Sequence, residues 1–307
     1  MYPIFDIRPH AAESLEQLGT KYKFWYTDLN FGPSLFKEGR PGTGENWAEK
    51  IACELASLLQ LPHAHYEFAK YGDRNGVLTP SLVSGGARLI LGNELLLTFL
   101  TDYTTNQSKV YRQREHTLRR LLGYFRAGAE TIGAPYGFRR TDRIATALDV
   151  FVGYLMFDAW IANQDRHDQN WALLRTSEGN TYLSPSFDHG SSLARNERDA
   201  RRHTMLTTRD MGQHISKYVQ GARSALYPQG ADHDTKSLLT IEAFAQAARL
   251  APAAVSEWRE RLSILTNQQV SEVIEAVPDE LMSRVAKDFT LELLRLNRLR
   301  ILDCVIV

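Results

Sequence analysis

The chain has 307 residues, 43% of them hydrophobic and 23% charged, the profile of a folded globular protein, which excludes a disordered or collagen-like chain. At roughly 100–200 residues per domain, this length allows one large domain or two of moderate size. Lysine plus arginine number 36 and aspartate plus glutamate 36, and that zero balance gives no support to holding nucleic acid by bulk charge, local basic patches apart.

In chain order, the opening MYPIFDIRPH has no basic stretch followed by an apolar core, so no secretory signal is expected. Lys21–Asp28 (KYKFWYTD) is dense in aromatics and reads as a strand, and Ser34–Lys37 as a second, short one. Arg40–Gly44 (RPGTG) is a loop, because proline and glycine break both regular structures. Glu45–Gln60 reads as a helix. Its Ala48, Ile51, Ala52, Leu55, Leu58 and Leu59 share one face, and Pro62 lies just beyond the end. His65–Tyr71 alternates like a strand. Asp73–Gly76 holds the hairpin signal Asn-Gly, and Val77–Val83 is the expected return strand. Together these elements make a small mixed lobe, one helix packed on a sheet.

From about residue 96 the texture is mostly helical. Val110–Arg126 and Thr141–Ala162 carry helical patterns. In the second, Ile144, Leu148, Phe151, Val152, Leu155 and Phe157 suit a buried core helix. Its apolar run Val150–Ala162 is interrupted by Asp158 and is too short to cross a bilayer, so no membrane span is expected. Trp171–Arg175 and Thr181–Leu183 read as short strands around the turn Ser177–Asn180. From Ile241 onward the pattern is helical again, with stops near Pro252 and Pro278. Cys53 and Cys304 sit among apolar neighbours, outside any close pair. They are expected as buried free thiols in a reducing compartment, and the protein as cytoplasmic.

Two segments combine the residue types that phosphoryl transfer needs. Asn163-Gln164-Asp165-Arg166-His167-Asp168-Gln169-Asn170 follows the buried helix and precedes the strand hairpin. Ser186-Phe187-Asp188-His189-Gly190-Ser191-Ser192 comes after it. Transfer from ATP needs an oriented hydroxyl, a carboxylate that can take its proton, and oxygen ligands for Mg²⁺. Protein kinases place a metal-binding Asn five residues after the catalytic Asp. A later Asp, followed by a turn glycine, is the second metal ligand. Here Asp165 precedes Asn170 by five residues, and Gly190 stands two after Asp188. A hairpin between Asn170 and Asp188 brings them side by side. The order Asp-Arg-His reverses the kinase His-Arg-Asp. The plainer alternative makes Asp165 a turn residue in a salt bridge with Arg166.

Asn163-x-Asp165-Arg166-His167-x-x-Asn170, followed by a hairpin and Asp188, resembles the catalytic segment of the HipA-like kinases. Ser34-Leu35-Phe36-Lys37, the helix 45–60 and Leu61-Pro62 resemble that family's lysine strand, helix and exit proline. The resemblance covers residues from about 16 to 190. It implies an α+β, two-lobed protein-kinase-like fold, distantly related to phosphatidylinositol kinases. A small β-rich N-lobe, residues 1–83, would contact the phosphates and adenine. A larger helical C-lobe, residues 84–307, would carry the catalytic loop and metal site. The namesake of the family has an N-terminal extension, and Lys37 comes too early here to leave room for one.

The resemblance further implies ATP and Mg²⁺, with Asp165 as catalytic base and Asn170 and Asp188 as metal ligands. Lys37 would touch the α/β-phosphates, paired with Glu49 or, one turn earlier, with Glu45. Backbone groups of Ser81, Leu82 and Val83 would meet the adenine. The turn Leu18-Gly19-Thr20-Lys21, with its single glycine, would reach the phosphates. The implied activity is transfer to Ser or Thr of a protein, toxin-like and held in check by an antitoxin partner. A lipid or small-molecule acceptor, or a nucleotide-binding regulator without turnover, are the alternatives. No nucleic acid is expected for this chain alone.

Around this core, His167 reads as a support of the catalytic loop, and His189 replaces the aromatic of the kinase Asp-Phe-Gly. His63 and His65 share a strand face but lack further zinc ligands nearby. Arg195, Arg198, Arg201, Arg202 and Arg209 form either a solvated basic loop or a site for an acidic group. Ser191, Ser192, Thr204, Thr207 and Thr208 are candidate autophosphorylation sites that nothing in the sequence ranks.

Overall fold

The computed structural model describes residues 1–8, 14–15, 21–99 and 113–306. The first sheet is built from β1 (Ile4–Ile7), β2 (Ser14–Leu15), β3 (Lys23–Asp28) and β4 (Gly32–Glu38), then β5 (Glu67–Tyr71) and β6 (Arg74–Pro80). Helix α1 (Glu45–Leu58) interrupts the run between β4 and β5. The spatial order is β1-β5-β6-β4-β3-β2. All pairs are antiparallel except β1 with β5, where Ile4 lies opposite Phe68 and Ile7 opposite Tyr71.

Period-two alternation explains the two faces of this sheet. Phe24, Tyr26, Phe36 and Leu78 are buried on one face, and the ring centroids of Phe24 and Phe36 lie 5.2 Å apart. Lys37, next to Phe36, therefore points to the opposite face. There Phe68 and Val77 join a core shared with Ala48, Ile51, Ala52 and Leu55 of α1. The helix stops two residues earlier than the expected Gln60, which takes a left-handed φ of +53°.

Two expectations for this region are corrected. The hairpin turns at Gly72-Asp73, with Tyr71 opposite Arg74, and Asn75-Gly76 lies inside β6. The return strand thus runs Arg74–Pro80 rather than Val77–Val83. Gly72 supplies the positive φ (+61°) that the tight turn needs. Gly76 serves close approach instead, since a Cβ there would lie 2.4 Å from the Lys37 carbonyl oxygen and 2.7 Å from the Phe36 ring. Gly76→Ala should therefore destabilise the fold by about 1–3 kcal/mol, the usual cost of overpacking. An unchanged melting temperature would contradict that reading.

Beyond β6 come β7 (Arg88–Leu91), α2 (Gly92–Phe99), α3 (Leu118–Ala127), β8 (Ile132–Gly133) and α4 (Ala147–Ile161). After them come β9 (Ala172–Arg175) and β10 (Thr181–Leu183), and the second sheet has the order β7-β9-β10-β8. The expected strands around 177–180 are thus present, with β7 and β8 added at the edges. The rest is helical: α5 (Asp199–Thr207), α6 (Ile215–Tyr218), α7 (Thr240–Ala248), α8 (Pro252–Ile264), α9 (Asn267–Glu275) and α10 (Arg284–Asp303). Pro252 opens α8, where its missing N–H costs nothing.

Helix α4 is the buried axis, packed by α3, α7, α8 and α10. It begins at Ala147, not Thr141, because Thr146 and Asp149 form a reciprocal capping box. Likewise α3 begins at Leu118, after the N-cap Thr117, rather than at Val110; residues 110–112 of that expected helix lie outside the described residues. Of the two free thiols, Cys53 is buried and accepts the Tyr66 N–H, whereas Cys304 is partly exposed. No described helix is long and apolar enough to cross a membrane.

Main-chain bonds tie α1 to the helical part at both ends. The Gly44 N–H donates to the Arg195 carbonyl at 2.9 Å, and the Ala64 N–H to that of Ser186 at 2.8 Å. Ser186 N–H returns a bond to the Pro62 carbonyl at 2.9 Å. Arg261 of α8 donates to the carbonyls of Leu59 and Gln60, both at 3.4 Å.

Candidate active site

The end of β4 and the middle of α1 aim Lys37 and Glu49 at each other, and the segment after β10 brings Asp188 to the same point. Lys37 Nζ lies 2.8 Å from Glu49 Oε1 and 2.5 Å from Asp188 Oδ1. Asp188 takes a left-handed backbone, φ +56°, a strained state that costs roughly 1–2 kcal/mol. It is held there by the Tyr66 hydroxyl, which accepts the Asp188 N–H at 3.2 Å, and by Glu49 Oε2, which accepts the His189 N–H at 2.8 Å. Gly190 lets this segment pass α1, since a Cβ there would stand 3.0 Å from Glu49 Oε1.

The charges in this cluster are strongly coupled. Burial works to raise the Asp188 pKa, but the ammonium groups of Lys37 and then Lys21 hold it well below the usual carboxylate range. Burial works to lower that of Lys37, and Asp188 and Glu49 override it, so Lys37 stays protonated. Glu49, wholly enclosed, is pushed up to about 7 by burial against the pull of Lys37. Glu45 does not serve as the partner of Lys37. It takes Lys21 in an ion pair, accepts the Arg40 N–H at 3.1 Å and lies 3.6 Å from Arg195 Nη1.

The catalytic-loop candidates follow α4, which ends on Ala162 in a left-handed turn. Arg166 is fully buried and does not pair with Asp165. Its Nε and Nη2 make a bidentate contact with Asp158 of α4, at 2.8 and 2.7 Å. Its Nη1 donates to the Asn170 carbonyl at 2.7 Å, and Nη2 also reaches Ser186 Oγ at 2.9 Å. Asn170 Nδ2 donates to the Asp165 carbonyl at 2.6 Å, fixing the loop across its five-residue span. Asn163 accepts the Asp165 N–H and donates to Asp158. Ser186 Oγ, which accepts from Arg166, also shares a hydrogen bond with His189 Nε2 at 2.7 Å. Burial and then the Arg166 charge keep His189 neutral.

Asp165 is left with its carboxylate at the opening of this framework. Oδ2 accepts from Ser191 Oγ at 3.2 Å, and Oδ1 lies 3.7 Å from His167 Nε2. His167 Nδ1 accepts the Gln169 N–H at 3.1 Å, so the ring turns its other nitrogen toward Asp165. Burial raises the Asp165 pKa, His167 opposes that, and Asp188 adds to it.

Not every expected residue converges equally. Gly19 and its turn lie outside the described residues, leaving Lys21 as the described end of the phosphate-loop candidate. Its pKa is lowered by burial and then by Lys37. At the hinge candidate, the Ser81 N–H is committed to the Pro33 carbonyl at 2.8 Å and the Val83 N–H to Ser81 Oγ at 3.2 Å. Leu82 packs against the main core. Two backbone donors expected to face adenine are thus already in use.

Asn170 and Asp188 offer an amide and a carboxylate, hard oxygen donors of the kind Mg²⁺ takes when phosphates and water complete its shell. The donor chemistry fits, and the ionised state of Asp188 favours it. Among the described residues no cluster of three His, Cys, Asp or Glu side chains could hold a metal by itself. His63 is engaged by Ser57 and the Leu61 carbonyl, and His65 by Glu67.

The arginines after Asp188 divide: Arg198, Arg201 and Arg209 are exposed, whereas Arg195 and Arg202 turn inward. The Arg202 side chain is buried, contacting Asp199, the Ala194 carbonyl and the Trp47 ring. Arg195 turns to Glu45 and Ser191, and Arg201 pairs with Glu197. Sequence reasoning missed Tyr66 and the tie between Arg166 and Asp158. A carboxylate in the apolar body of α4, beyond the capping Asp149, was the available signal for the second, because such a charge needs a buried partner.

Among solved structures, the chain is similar to a proinflammatory kinase of Helicobacter pylori, CtkA. The TM-score is 0.76 at 18% identity, over 98% of this chain and 96% of that one. It is also similar to HipA of a Shewanella oneidensis MR-1 toxin–antitoxin system, solved with HipB and operator DNA. There the TM-score is 0.55 at 13% identity, over 94% of this chain. This chain spans 65% of that HipA. No family model and no curated protein matches.

Proposed function

We propose that this chain, which has the two-lobed fold of the HipA-like kinases, transfers the γ-phosphoryl group of ATP to a Ser or Thr hydroxyl of a protein. The observation that carries the proposal is Lys37, held between Glu49 and Asp188, with Asp165 close enough to feel the charge of Asp188 and its carbonyl bonded by Asn170. Residues 1–83 would grip the nucleotide and residues 84–307 supply the catalytic loop. Lys37 orients the α/β-phosphates, and Glu49 keeps Lys37 extended toward them. Asp165 accepts the proton of the acceptor hydroxyl, and Arg166 holds the loop that presents it. Mg²⁺, when bound by Asn170 and Asp188, neutralises charge on the phosphates. Positioning and charge neutralisation supply most of the rate in such a site.

The protein acceptor is the part of this reading that follows the HipA likeness, and a lipid acceptor is the alternative, since Arg198, Arg201 and Arg209 stay exposed while Arg195 and Arg202 turn inward. A partner protein that restrains the activity is a further part of this proposal resting on the HipA likeness alone. The test is incubation of the purified chain with Mg²⁺ and γ-labelled ATP, alone and with a cell extract. Label on protein bands is the expected result. Label confined to lipid or small-molecule fractions would move the acceptor to another class, and bound ATP with no label anywhere would indicate a sensor.

A further inference from the structure

One hydroxyl of the chain already stands where an acceptor has to be. Ser191 Oγ donates to Asp165 Oδ2 at 3.2 Å, within the reach that proton transfer to a general base requires. Its main chain is fixed too, because the Gln164 N–H donates to the Ser191 carbonyl at 3.2 Å. Arg195 Nη2 donates to the same Oγ at 3.0 Å. The Arg195 side chain is only 10% exposed, and its Nη1 lies 3.6 Å from Glu45 Oε1. That nitrogen has no hydrogen-bond partner among the described residues. A buried guanidinium N–H without an acceptor is costly, and a phosphate oxygen is the acceptor it suits best.

The other candidate hydroxyls are placed differently. Ser192 is 1% exposed. Thr204 and Thr207 donate back to carbonyls of their own helix, those of Ala200 and His203. Thr208 accepts the Asp210 N–H in a surface turn. Only Ser191 combines contact with the carboxylate and a neighbouring cation able to receive the product.

We propose that Ser191 is a modification site, phosphorylated in cis by the chain's own active site. The inference rests on the kinase reading above. Ser191 Oγ bonds to the γ-phosphorus as the bond from that phosphorus to the bridging oxygen breaks. ADP leaves with the electron pair, and the Oγ proton passes to Asp165. The phosphoserine then carries about two negative charges beside Arg195.

The test uses the full chain, treated with phosphatase, freed of it, and then incubated with Mg²⁺ and ATP. Phosphopeptides are mapped by mass spectrometry at widely spaced protein concentrations, and ADP is measured in the same samples. The expected result is phosphate on Ser191, appearing at a first-order rate independent of protein concentration. Ser191→Thr should carry phosphothreonine at that position, and Ser191→Ala should lose phosphate there. Phosphate only on other residues, or a rate that rises with protein concentration, overturns the proposal. ADP formed without phosphate on Ser191 also overturns it and leaves the kinase reading standing. No ADP with any acceptor overturns both.

Discussion

Asp165→Asn is expected to lower phosphoryl transfer by roughly 10²–10⁴-fold, the span that general-base assistance supplies, while the chain stays folded and still binds ATP. Asparagine has nearly the shape of aspartate, and its carbonyl oxygen can still accept from Ser191. It cannot take a proton. The fold should tolerate the change because burial already disfavours the charged form of Asp165. The same raised pKa fixes the sign of the pH dependence. The base works only when ionised, so the rate should fall on acidification at a higher pH than for an exposed aspartate. That limb should vanish in Asp165→Asn.

Asp188→Asn should also abolish transfer, since it removes the proposed metal ligand and one of the two carboxylates on Lys37. Its pKa shift has the opposite sign. The native value is depressed, so the stabilisation it brings is full above the ordinary aspartate range. It is lost only as pH falls toward the lower native value. Transfer assays, a pH–rate profile and a thermal melt decide these points together. Full activity in either variant would remove the assignment.

Asp158→Ala should destabilise the protein by about 3–5 kcal/mol, the range for stripping the partner from a buried charge. Arg166 is 0% exposed and makes both of its bidentate bonds to Asp158. With alanine there, the guanidinium stays enclosed with only the Asn170 carbonyl and Ser186 left. For a chain of this size the melting temperature should fall by roughly 10 °C. Replacing both members together, Asp158→Leu with Arg166→Met, should recover most of that loss, because well-packed apolar residues often match a buried pair. Activity should not return, since Arg166 also holds the Asn170 carbonyl. A single variant that melts with the wild type would show that solvent reaches the pair.

The sequence was most legible where chemistry and local pattern coincide. Asp165, Asn170 and Asp188 stand at spacings dictated by a loop and a hairpin, and a loop and a hairpin are what form. Helix α1 announced itself through one apolar face and Pro62. Glu49 and Glu45 could not be separated, because both lie on that face and only the sheet decides which meets Lys37. β1 was missed because its parallel partner lies some sixty residues away, and a four-residue strand carries no local mark of a remote neighbour. Asn75-Gly76 misled because a glycine that allows close packing looks the same in sequence as a glycine that makes a turn. The arginines after Asp188 read as a charged surface. The inward direction of Arg195 and Arg202 depends on Glu45 and Trp47, which are distant in the chain.

The main-chain bonds at both ends of α1 bear on how activity could be controlled. A glutamate-bearing helix can act as a lever, swinging out to part the glutamate from its lysine and switch a site off. Here that swing would break the bond of Gly44 to Arg195 at one end. At the other it would break the two-way pairing of Pro62 and Ala64 with Ser186. With those bonds in place, Lys37 and Glu49 are engaged in the absence of nucleotide. Control by swinging this helix would have to break all three of those bonds.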